Sequence, residues 1–525
     1  MNNILKTAII AVSISGTISS CTKKLDQLPT NGLSETTVYA TPAGYKSAFA
    51  KVYGSMALTG NSGAGSGDVA GIDAGTSDFL RLYWKAQELS TDEAVVAWGD
   101  PGIQDFHLMN WSSSNPMLTG LFYRLYYQIT LANDFIRQSD PAKVAANGIG
   151  TMDAEAIKKY RYEARFLRAF QYANLMDLFG NVPFTTEANA IGDTLPSQIS
   201  RAKLFQYVES ELLAIEPNMV ASRTNEYGRA DMATVQALLA RIYLNSVVYT
   251  GTVRNDDAAK YAKKVIDAGY TLVNEYKNLM VADNHTNTNE FIFTINYDGL
   301  FTQNFGGTTF LTHAPVGGTM KASDFGIGGG WSGLRTTSSI IDKYINLISN
   351  SDTRAQFYTD GQTQEINDLT KFTNGYTVTK FKNKTKAGVA GKGDVFVDID
   401  MPIFRLPEMY LIYAEAVKRG STFGDETTAL MYLNKLNERA YGNTSGNKST
   451  YDLTYIIDER ARELFWEGFR RTDLIRYNQF VESSYLWPWK GGSKNGTSVD
   501  SYRKLYPIPS AEITSNFKIK QNPGY

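Results

Sequence analysis

The sequence predicts a mainly α protein built of stacked helix pairs, which one long, loop-rich and partly β segment interrupts. Apolar residues recur at helical spacing over most of the chain. The helices come in pairs of roughly 30–40 residues, the rhythm of tetratricopeptide-like repeats. Between residues 276 and 401 the helical period is lost and glycines accumulate. An array of four pairs therefore requires the last pair to join the earlier ones across this segment.

The ends of the predicted helices carry the residues that stop helices. The pattern over 153–179, the longest, is followed by Gly180 and Pro183. A continuous helix is also predicted over 454–480, and we interpret its alternating charges as a salt-bridged helix surface. The tail from residue 505 is predicted as coil. The predicted helices outside the loop-rich segment span 41–58, 117–138, 153–179, 199–216, 230–248, 255–268, 408–419, 427–440 and 454–480.

The first residues have the composition of an export signal. An apolar run of about a dozen residues, shorter than the ~20 that span a bilayer as a helix, ends in small residues before Cys21. Cys21, preceded by Ile18, Ser19 and Ser20, resembles the lipobox of bacterial lipoproteins, in which the cysteine is acylated and begins the mature chain. The alternative is an ordinary secretory peptide that leaves this single cysteine as a free thiol.

The composition excludes some classes of protein and favours others. The formal charge is −1 from 52 basic and 53 acidic residues, without a long run of either sign, which disfavours nucleic-acid binding. His107, His285 and His313 are too far apart to show the spacing of metal ligands. The aromatic content is high, at 12%. Many of these rings must be in the core, and the remainder are available for a binding surface.

The loop-rich segment carries candidate binding rings. Phe305 precedes Gly306 and Gly307, and Trp331 follows a run of glycines, so both are predicted to lie on loops. Long glycine-bearing loops in a compact protein are commonly functional. The segment also contains a β-like run at 290–295 and one helical piece at 338–347. For Trp98, which follows an apolar run, burial in the core is an equal alternative.

Other polar clusters have simpler explanations than a catalytic or metal site. Arg161, Arg165 and Arg168 lie in mid-helix among acids, which favours structural pairing over anion binding. Asp283 and Glu290, with neighbouring asparagines, are candidate calcium ligands, although the glycine and spacing of an EF-hand are missing.

A glycoside hydrolase is the main alternative to a binding protein, because it needs two carboxylates around a sugar cleft. Asp92 and Glu93 are acids near a candidate ring, but adjacent residues seldom face one site. No nucleophile elbow, phosphate loop or metal cluster is present in the sequence. A structural scaffold would explain the helix pairs but not the aromatic, glycine-rich segment. We therefore predict a protein that is not an enzyme.

Several motifs, taken in order, resemble the RagB/SusD family of bacterial surface lipoproteins. They extend over the whole chain together with the lipobox, and their order is more specific than any one of them. They read RFLRAF (165–170), DLFGNVP (177–183), YGRAD (227–231), FRLPE (404–408), IDERAREL (457–464), EGFRRTDL (467–474) and YPIP (506–509).

The resemblance implies a helical fold with four tetratricopeptide-like units and a loop-built face that binds glycans without catalysis. It implies a protein anchored in the outer membrane by lipid on Cys21, exposed at the cell surface, and partnered by a SusC-like TonB-dependent transporter. The chain is most similar to the family's starch-binding member, which implies an α-glucan ligand; another polysaccharide is the alternative. No cofactor is predicted, apart from the candidate calcium at Asp283 and Glu290.

The same resemblance assigns the binding residues. An arc of rings falls on Trp98, Phe305 and Trp331, where Phe305 replaces a tyrosine. Asp73 and Arg81 match polar contacts. After Trp98 the chain reads Gly99-Asp100-Pro101, so an asparagine contact is missing and Asp100 is its candidate replacement, one residue out of register.

These expectations divide the chain into consecutive segments. They are a signal peptide (1–20), a lipidated tether (21–40), an N-terminal helical region (41–275), a glycan-binding insert (276–401), and a C-terminal helical region with a coil tail (402–525).

Overall fold

The computed structural model describes residues 35–189, 192, 194–344 and 351–525. The predicted signal peptide and Cys21 lie outside the described residues. The α-helices are α1 (Glu35–Val38), α2 (Pro42–Ala57), α3 (Phe79–Glu88), α4 (Asp105–Leu108), α5 (Pro116–Gln138), α6 (Pro141–Ala146), α7 (Thr151–Leu178), α8 (Arg201–Ile215), α9 (Met232–Leu244), α10 (Ser246–Thr250), α11 (Asn255–Asp267), α12 (Gly307–His313), α13 (Ser338–Ile341), α14 (Leu406–Lys418), α15 (Glu426–Tyr441), α16 (Leu453–Glu463), α17 (Arg470–Arg476) and α18 (Ser510–Ser515).

The strands are short and pair only in twos within the described residues. The pairs are β1 (Val95–Val96) with β5 (Leu334–Arg335), β2 (Val182–Pro183) with β3 (Gln198–Ile199), β4 (Phe291–Ile295) with β8 (Met401–Arg405), and β6 (Phe357–Tyr358) with β7 (Thr377–Val378).

The long helices form the predicted array. Helix α2 packs on α5 and α7, α5 on α7, and α7 on α8; α9 packs on α11, α11 on α14, and α14 on α15. These contacts give four helix pairs within the described residues, in order α2/α5, α7/α8, α9/α11 and α14/α15. The contact of α11 with α14 confirms that the C-terminal pair joins the earlier ones across the long intervening segment.

Side-chain caps begin several of these helices where the sequence changes from coil to helix. Asn115 accepts hydrogen bonds from the N–H groups of Met117 and Leu118 at the start of α5, and Asp231 forms a capping box with Thr234 at the start of α9. The apolar faces then pack into one continuous core that extends from the N-terminal helices to the tail. No helix in the described part of the chain is long and apolar enough to cross a membrane.

The end of the predicted tether is part of the folded body. Residues 35–38 form α1, and Tyr39 is buried with its hydroxyl donating to Asp134 at 3.1 Å. In the loop-rich segment, the helix predicted over 338–347 is α13 as far as Ile341, and its last residues lie outside the described part. Helix α12, which the sequence period did not reveal, lies directly after Phe305.

The helix predicted over 454–480 is interrupted. It forms α16 and α17, and between them Trp466 adopts a left-handed φ of 61° with its ring fully buried. The N–H groups of Gly468 and Phe469 donate to an oxygen of the buried Glu88 carboxyl group, at 2.6 and 3.0 Å. A buried side chain from another helix therefore stabilises the break, and such a contact leaves no periodic signal.

The charges of this region pair as predicted, but they do not lie on a surface. Arg405 is buried and contacts three buried carboxylates, those of Glu290, Glu463 and Glu467. Arg476 binds Glu415 through two nitrogens, at 2.7 and 2.8 Å. The prediction of a salt-bridged helix surface was wrong in its location, because partners from distant segments allow these charges to be buried.

Candidate functional site

The pairing of β1 with β5 brings two tryptophans together. Val95 lies opposite Arg335 and Val96 opposite Leu334, and the N–H of Ala97 donates to the carbonyl of Gly333 at 2.9 Å. Trp98 leaves the end of β1 just where the chain from Trp331 enters β5. Their ring centroids are 6.4 Å apart and the rings are inclined by 48°.

The Trp98 ring is held in this position from two sides. Its indole N–H donates to the carbonyl of Trp331 at 3.0 Å. A Cβ on Gly333 would lie 2.2 Å from the indole, so glycine is required for the ring to lie against the backbone. Gln104 donates to the carbonyls of Val96 and Trp98, which secures the end of the strand. Trp98 and Trp331 are both half-buried. Trp98 is therefore neither a core residue nor a fully exposed ring, and part of its surface is open to solvent.

Arg81 occupies the centre of the site. It lies on α3, whose N-cap Asp78 accepts from its backbone N–H at 2.8 Å. The guanidinium carbon lies 4.7 Å from the ring centroid of Phe310, 5.9 Å from Trp331 and 6.0 Å from Trp98. Burial lowers the pKa of Arg81 to about 10, against the opposing effect of nearby acids. Arg81 is therefore charged at neutral pH and stacks among three rings.

Phe305 joins the site through its main chain. The Arg81 guanidinium donates to the carbonyl of Phe305 at 2.9 Å. The side chain of Phe305 is 39% exposed and lies close against the backbone of Gly75. The following N–H of Gly307 donates to Asp78 at 2.8 Å, so the cap of α3 also binds the loop that carries Phe305.

The two predicted acids lie at the solvent side of Arg81. Asp73 and Asp100 are exposed, and the charges of both stabilise the Arg81 cation. Asp73 also accepts from the N–H of Thr76 at 3.0 Å, which orders its turn. The structure thus brings all the predicted glycan-binding residues together. They form a loop-built face, the candidate face, which has aromatic rings, the guanidinium of Arg81 and the carboxylates of Asp73 and Asp100 at its edge.

Sequence reasoning missed residues that support these rings. His313 stacks on Trp331 at 4.9 Å and 23°, and its Nδ1 lies 2.6 Å from the carbonyl of Gly329. Phe396 lies 5.0 Å from the ring of Phe305. Phe396 follows the glycines at residues 391 and 393. An aromatic residue beside glycines is the signal that identified Phe305 and Trp331, and the same signal could have identified Phe396.

The carboxylates considered for catalysis belong to the core. Asp92 and Glu93 are buried. Asp92 binds Arg470 at 2.7 Å through each of its oxygens, and Glu93 accepts from the N–H of Trp466 at 3.0 Å. Neither faces the rings from solvent, so this pair does not form the sugar cleft of a hydrolase.

The remaining candidates have structural partners. Arg165 and Arg168 both bind Glu211 at 2.8 Å, which confirms that they pair. Glu290, considered for calcium, accepts from Arg405 and from Arg439 at 3.1 and 3.0 Å. Asp283 accepts from the N–H of Lys386 at 2.9 Å. Within the described residues, no group of three or more His, Cys, Asp or Glu side chains could hold a metal ion.

A scaffold of stacked helix pairs that presents aromatic ring faces beside hydrogen-bonding groups on loops is typical of a carbohydrate-binding protein, since sugars offer apolar C–H faces and hydroxyls. Comparison with known proteins makes this assignment specific. The model of the SusD family matches residues 222–525. The starch-binding protein SusD of Bacteroides thetaiotaomicron is 34% identical, in an alignment that covers 100% of this chain and 99% of that protein.

Solved structures agree on the fold. Surface glycan-binding protein A from Bacteroides thetaiotaomicron, solved with laminarihexaose, has a TM-score of 0.70 at 22% identity and covers 92% of this chain and 99% of its own. Surface glycan-binding protein A from Bacteroides fluxus has a TM-score of 0.69 at 22% identity, with 92% and 100% covered. The chain belongs to the SusD family, whose members are surface glycan-binding proteins and not enzymes.

Proposed function

We propose that this protein captures starch or malto-oligosaccharides on the face around Arg81. The observation that carries the proposal is the 48° inclination of the Trp98 and Trp331 rings. Sugar rings present apolar C–H faces that stack on aromatic planes, and an α-glucan chain coils, so the faces of successive sugars change direction. Inclined rings suit a coiled chain, whereas a flat ribbon such as cellulose requires rings in one plane. The 34% identity with a starch-binding protein supports the same ligand.

The polar groups of the face suit sugar hydroxyls. Arg81 supplies N–H donors, and Asp73 and Asp100 supply acceptors at the solvent edge. Since Asp100 is exposed and close enough to stabilise the Arg81 cation, it takes the role of the missing asparagine in this proposal. Phe305 provides a ring face without a hydroxyl, so its contribution is stacking alone.

Affinity electrophoresis tests the ligand. The wild-type protein should be retarded in gels that contain amylopectin, and Trp331→Ala should migrate as in a gel without polysaccharide. Phe517→Ala is the matched control, because Phe517 is 83% exposed. Its neighbours Asn516 and Lys518 donate to the carbonyls of Pro196 and Leu195, which are not part of the candidate face. Unretarded migration of the wild type in amylopectin contradicts the α-glucan proposal. Release of reducing sugar by the pure protein contradicts a binding-only role.

A curved β-glucan is the second candidate. A protein of the same fold was solved with laminarihexaose. By resemblance to the family, Phe305 also replaces a tyrosine and lacks its hydroxyl, which is a departure from the starch-binding pattern. Gels that contain laminarin decide between the two. Retardation by laminarin and not by amylopectin would favour this ligand on the same face, and Trp331→Ala would then abolish that retardation.

We further propose that the protein is lipid-anchored through Cys21 at the outer face of the outer membrane, where it passes glycan to a SusC-like TonB-dependent transporter. This part is supported by the lipobox-like residues before Cys21 and by family membership. Labelling of cells with a palmitate analogue should mark the wild type and leave Cys21→Ala unmarked. Purification of the protein from membranes in mild detergent should recover the transporter. Equal labelling of the wild type and Cys21→Ala would contradict the lipid anchor. Recovery of the protein without a transporter would contradict the proposed partner.

A further inference from the structure

The residues 391–396, which we name the bridging loop, lie between the loops that carry Phe305 and Trp331. The carbonyl of Asp394 accepts from the N–H of Gly328 at 2.9 Å, in the glycine run before Trp331. At the other end of the bridging loop, the ring of Phe396 lies 5.0 Å from that of Phe305, inclined by 55°. The bridging loop is therefore continuous with the candidate binding face on both sides.

Ion pairs and hydrogen bonds fasten the bridging loop to the turn at residues 298–302, which precedes Phe305 in the chain. Lys392 forms an ion pair with Asp298. Asp398 accepts from the N–H of Lys392 at 2.6 Å and from that of Gly299 at 2.8 Å. A Cβ on Gly299 would lie 2.5 Å from the carbonyl oxygen of Phe396, so the two segments are in close contact.

The turn holds two large apolar side chains in solvent. Asp298 accepts from the N–H of Leu300 at 2.9 Å and from that of Phe301 at 3.2 Å, which orders the turn. Leu300 is 53% and Phe301 83% exposed, and Val395 of the bridging loop is 46% exposed. Exposed apolar side chains on two segments that are fastened together make this part of the surface a candidate interaction surface.

We infer that Phe396 and Phe301 extend the glycan-binding face past Phe305, so that the protein binds long glucan chains in preference to short ones. The inference rests on the proposed function. The ligand of this extension is the continuation of the same glucan chain, because the ring of Phe396 contacts that of Phe305 and polar groups flank Phe396. The exposed carboxylate of Asp394 and the ammonium of Lys392 offer partners for the hydroxyls of the added sugars.

Calorimetric titration with maltotriose and maltoheptaose tests this inference. Phe396→Ala and Phe301→Ala should each lower the affinity for maltoheptaose by roughly three- to ten-fold, the effect of losing one stacked ring. The affinity for maltotriose should stay within about two-fold of wild type. Phe517→Ala should change neither value. Phe396→Leu, which keeps an apolar side chain in the half-buried position, should reproduce the effect of Phe396→Ala if the ring itself binds sugar.

The outcomes separate this inference from the proposed function. Trp331→Ala should weaken both sugars, and if wild type binds neither sugar the α-glucan proposal fails together with the inference. Suppose that Trp331→Ala weakens binding and that the Phe396 and Phe301 variants either bind as wild type does or lose affinity equally for both sugars. The inference is then wrong and the proposed function stands. Unchanged maltoheptaose binding with loss of the co-purified transporter would assign the exposed rings to a protein contact and overturn the inference.

Discussion

The indole N–H of Trp98 donates to the carbonyl of Trp331 at 3.0 Å. The two rings of the candidate face are therefore not independent, because the main chain of one loop sets the orientation of the ring on the other. The bond also occupies the only polar group of the Trp98 side chain, so this ring is left to contact sugar by its apolar face.

Replacement of the two tryptophans should have unequal effects. Trp98→Phe removes both the larger ring and the bond that orients it, and we expect about a ten-fold loss of maltoheptaose affinity. Trp331→Phe keeps the main-chain acceptor of that bond, so its loss should be smaller. Calorimetric titration of both variants measures the difference. Equal losses would show that the bond to the Trp331 carbonyl does not matter for binding.

A methyl group at Gly333 should disturb the site from the backbone. It would lie 2.2 Å from the Trp98 indole, so we expect Gly333→Ala to displace the ring and to weaken maltoheptaose binding by about ten-fold or more. Gly329→Ala is the matched control, because its added methyl meets nothing within 4 Å. Tryptophan fluorescence and titration report ring position and affinity. An unaffected Gly333→Ala would mean that the position of Trp98 is not critical.

The buried Arg405 should be essential to stability. Because it faces three buried carboxylates, Arg405→Met leaves uncompensated negative charge, and we expect a loss of about 3–5 kcal/mol in the free energy of unfolding. Lys158→Met, which removes a pair with Glu155 on the surface, should cost about 0–1 kcal/mol. Urea unfolding followed by circular dichroism measures both. A similar cost for the two variants would contradict the importance of burial.

The buried acids Glu88 and Glu93 should make stability fall as pH rises. Burial raises the pKa of both, that of Glu93 to about 8, from an ordinary value of 4.5. The unfolded chain therefore releases its proton first, and stability is lost as pH rises from about 4.5 through about 8. Glu93→Gln cannot ionise and keeps an acceptor for the Trp466 N–H, so the loss of stability between about pH 5 and about pH 8 should be smaller than in wild type.

Urea unfolding at the two pH values measures this difference, with Glu155→Gln as an exposed control that should follow the wild type. If the Glu93→Gln and wild-type curves change equally with pH, the carboxyl of Glu93 is not protonated in the folded protein.

Local sequence patterns were sufficient for most of the helical array. The pattern over 117–138 is α5 within one residue at its start, because an amphipathic period, a capping Asn115 and Pro116 all act within a few residues of each other. The break at Trp466 was missed, because it is stabilised by Glu88, which is distant in the chain. For the same reason the burial of Glu463 was missed, since Arg405 and Arg439 supply its counter-charges.

The sequence by itself determined which residues are candidates for binding a sugar. Phe305 and Trp331 are rings beside glycines, and the resemblance to the family assigned Trp98, Arg81 and Asp73 to the same face. Only the tertiary structure decided how they meet. The pairing of β1 with β5 sets the angle between the tryptophans, Arg81 of α3 lies among their rings, and Phe396 joins Phe305. Periodicity reports on neighbours along the chain, whereas the shape of a binding face depends on contacts between segments hundreds of residues apart.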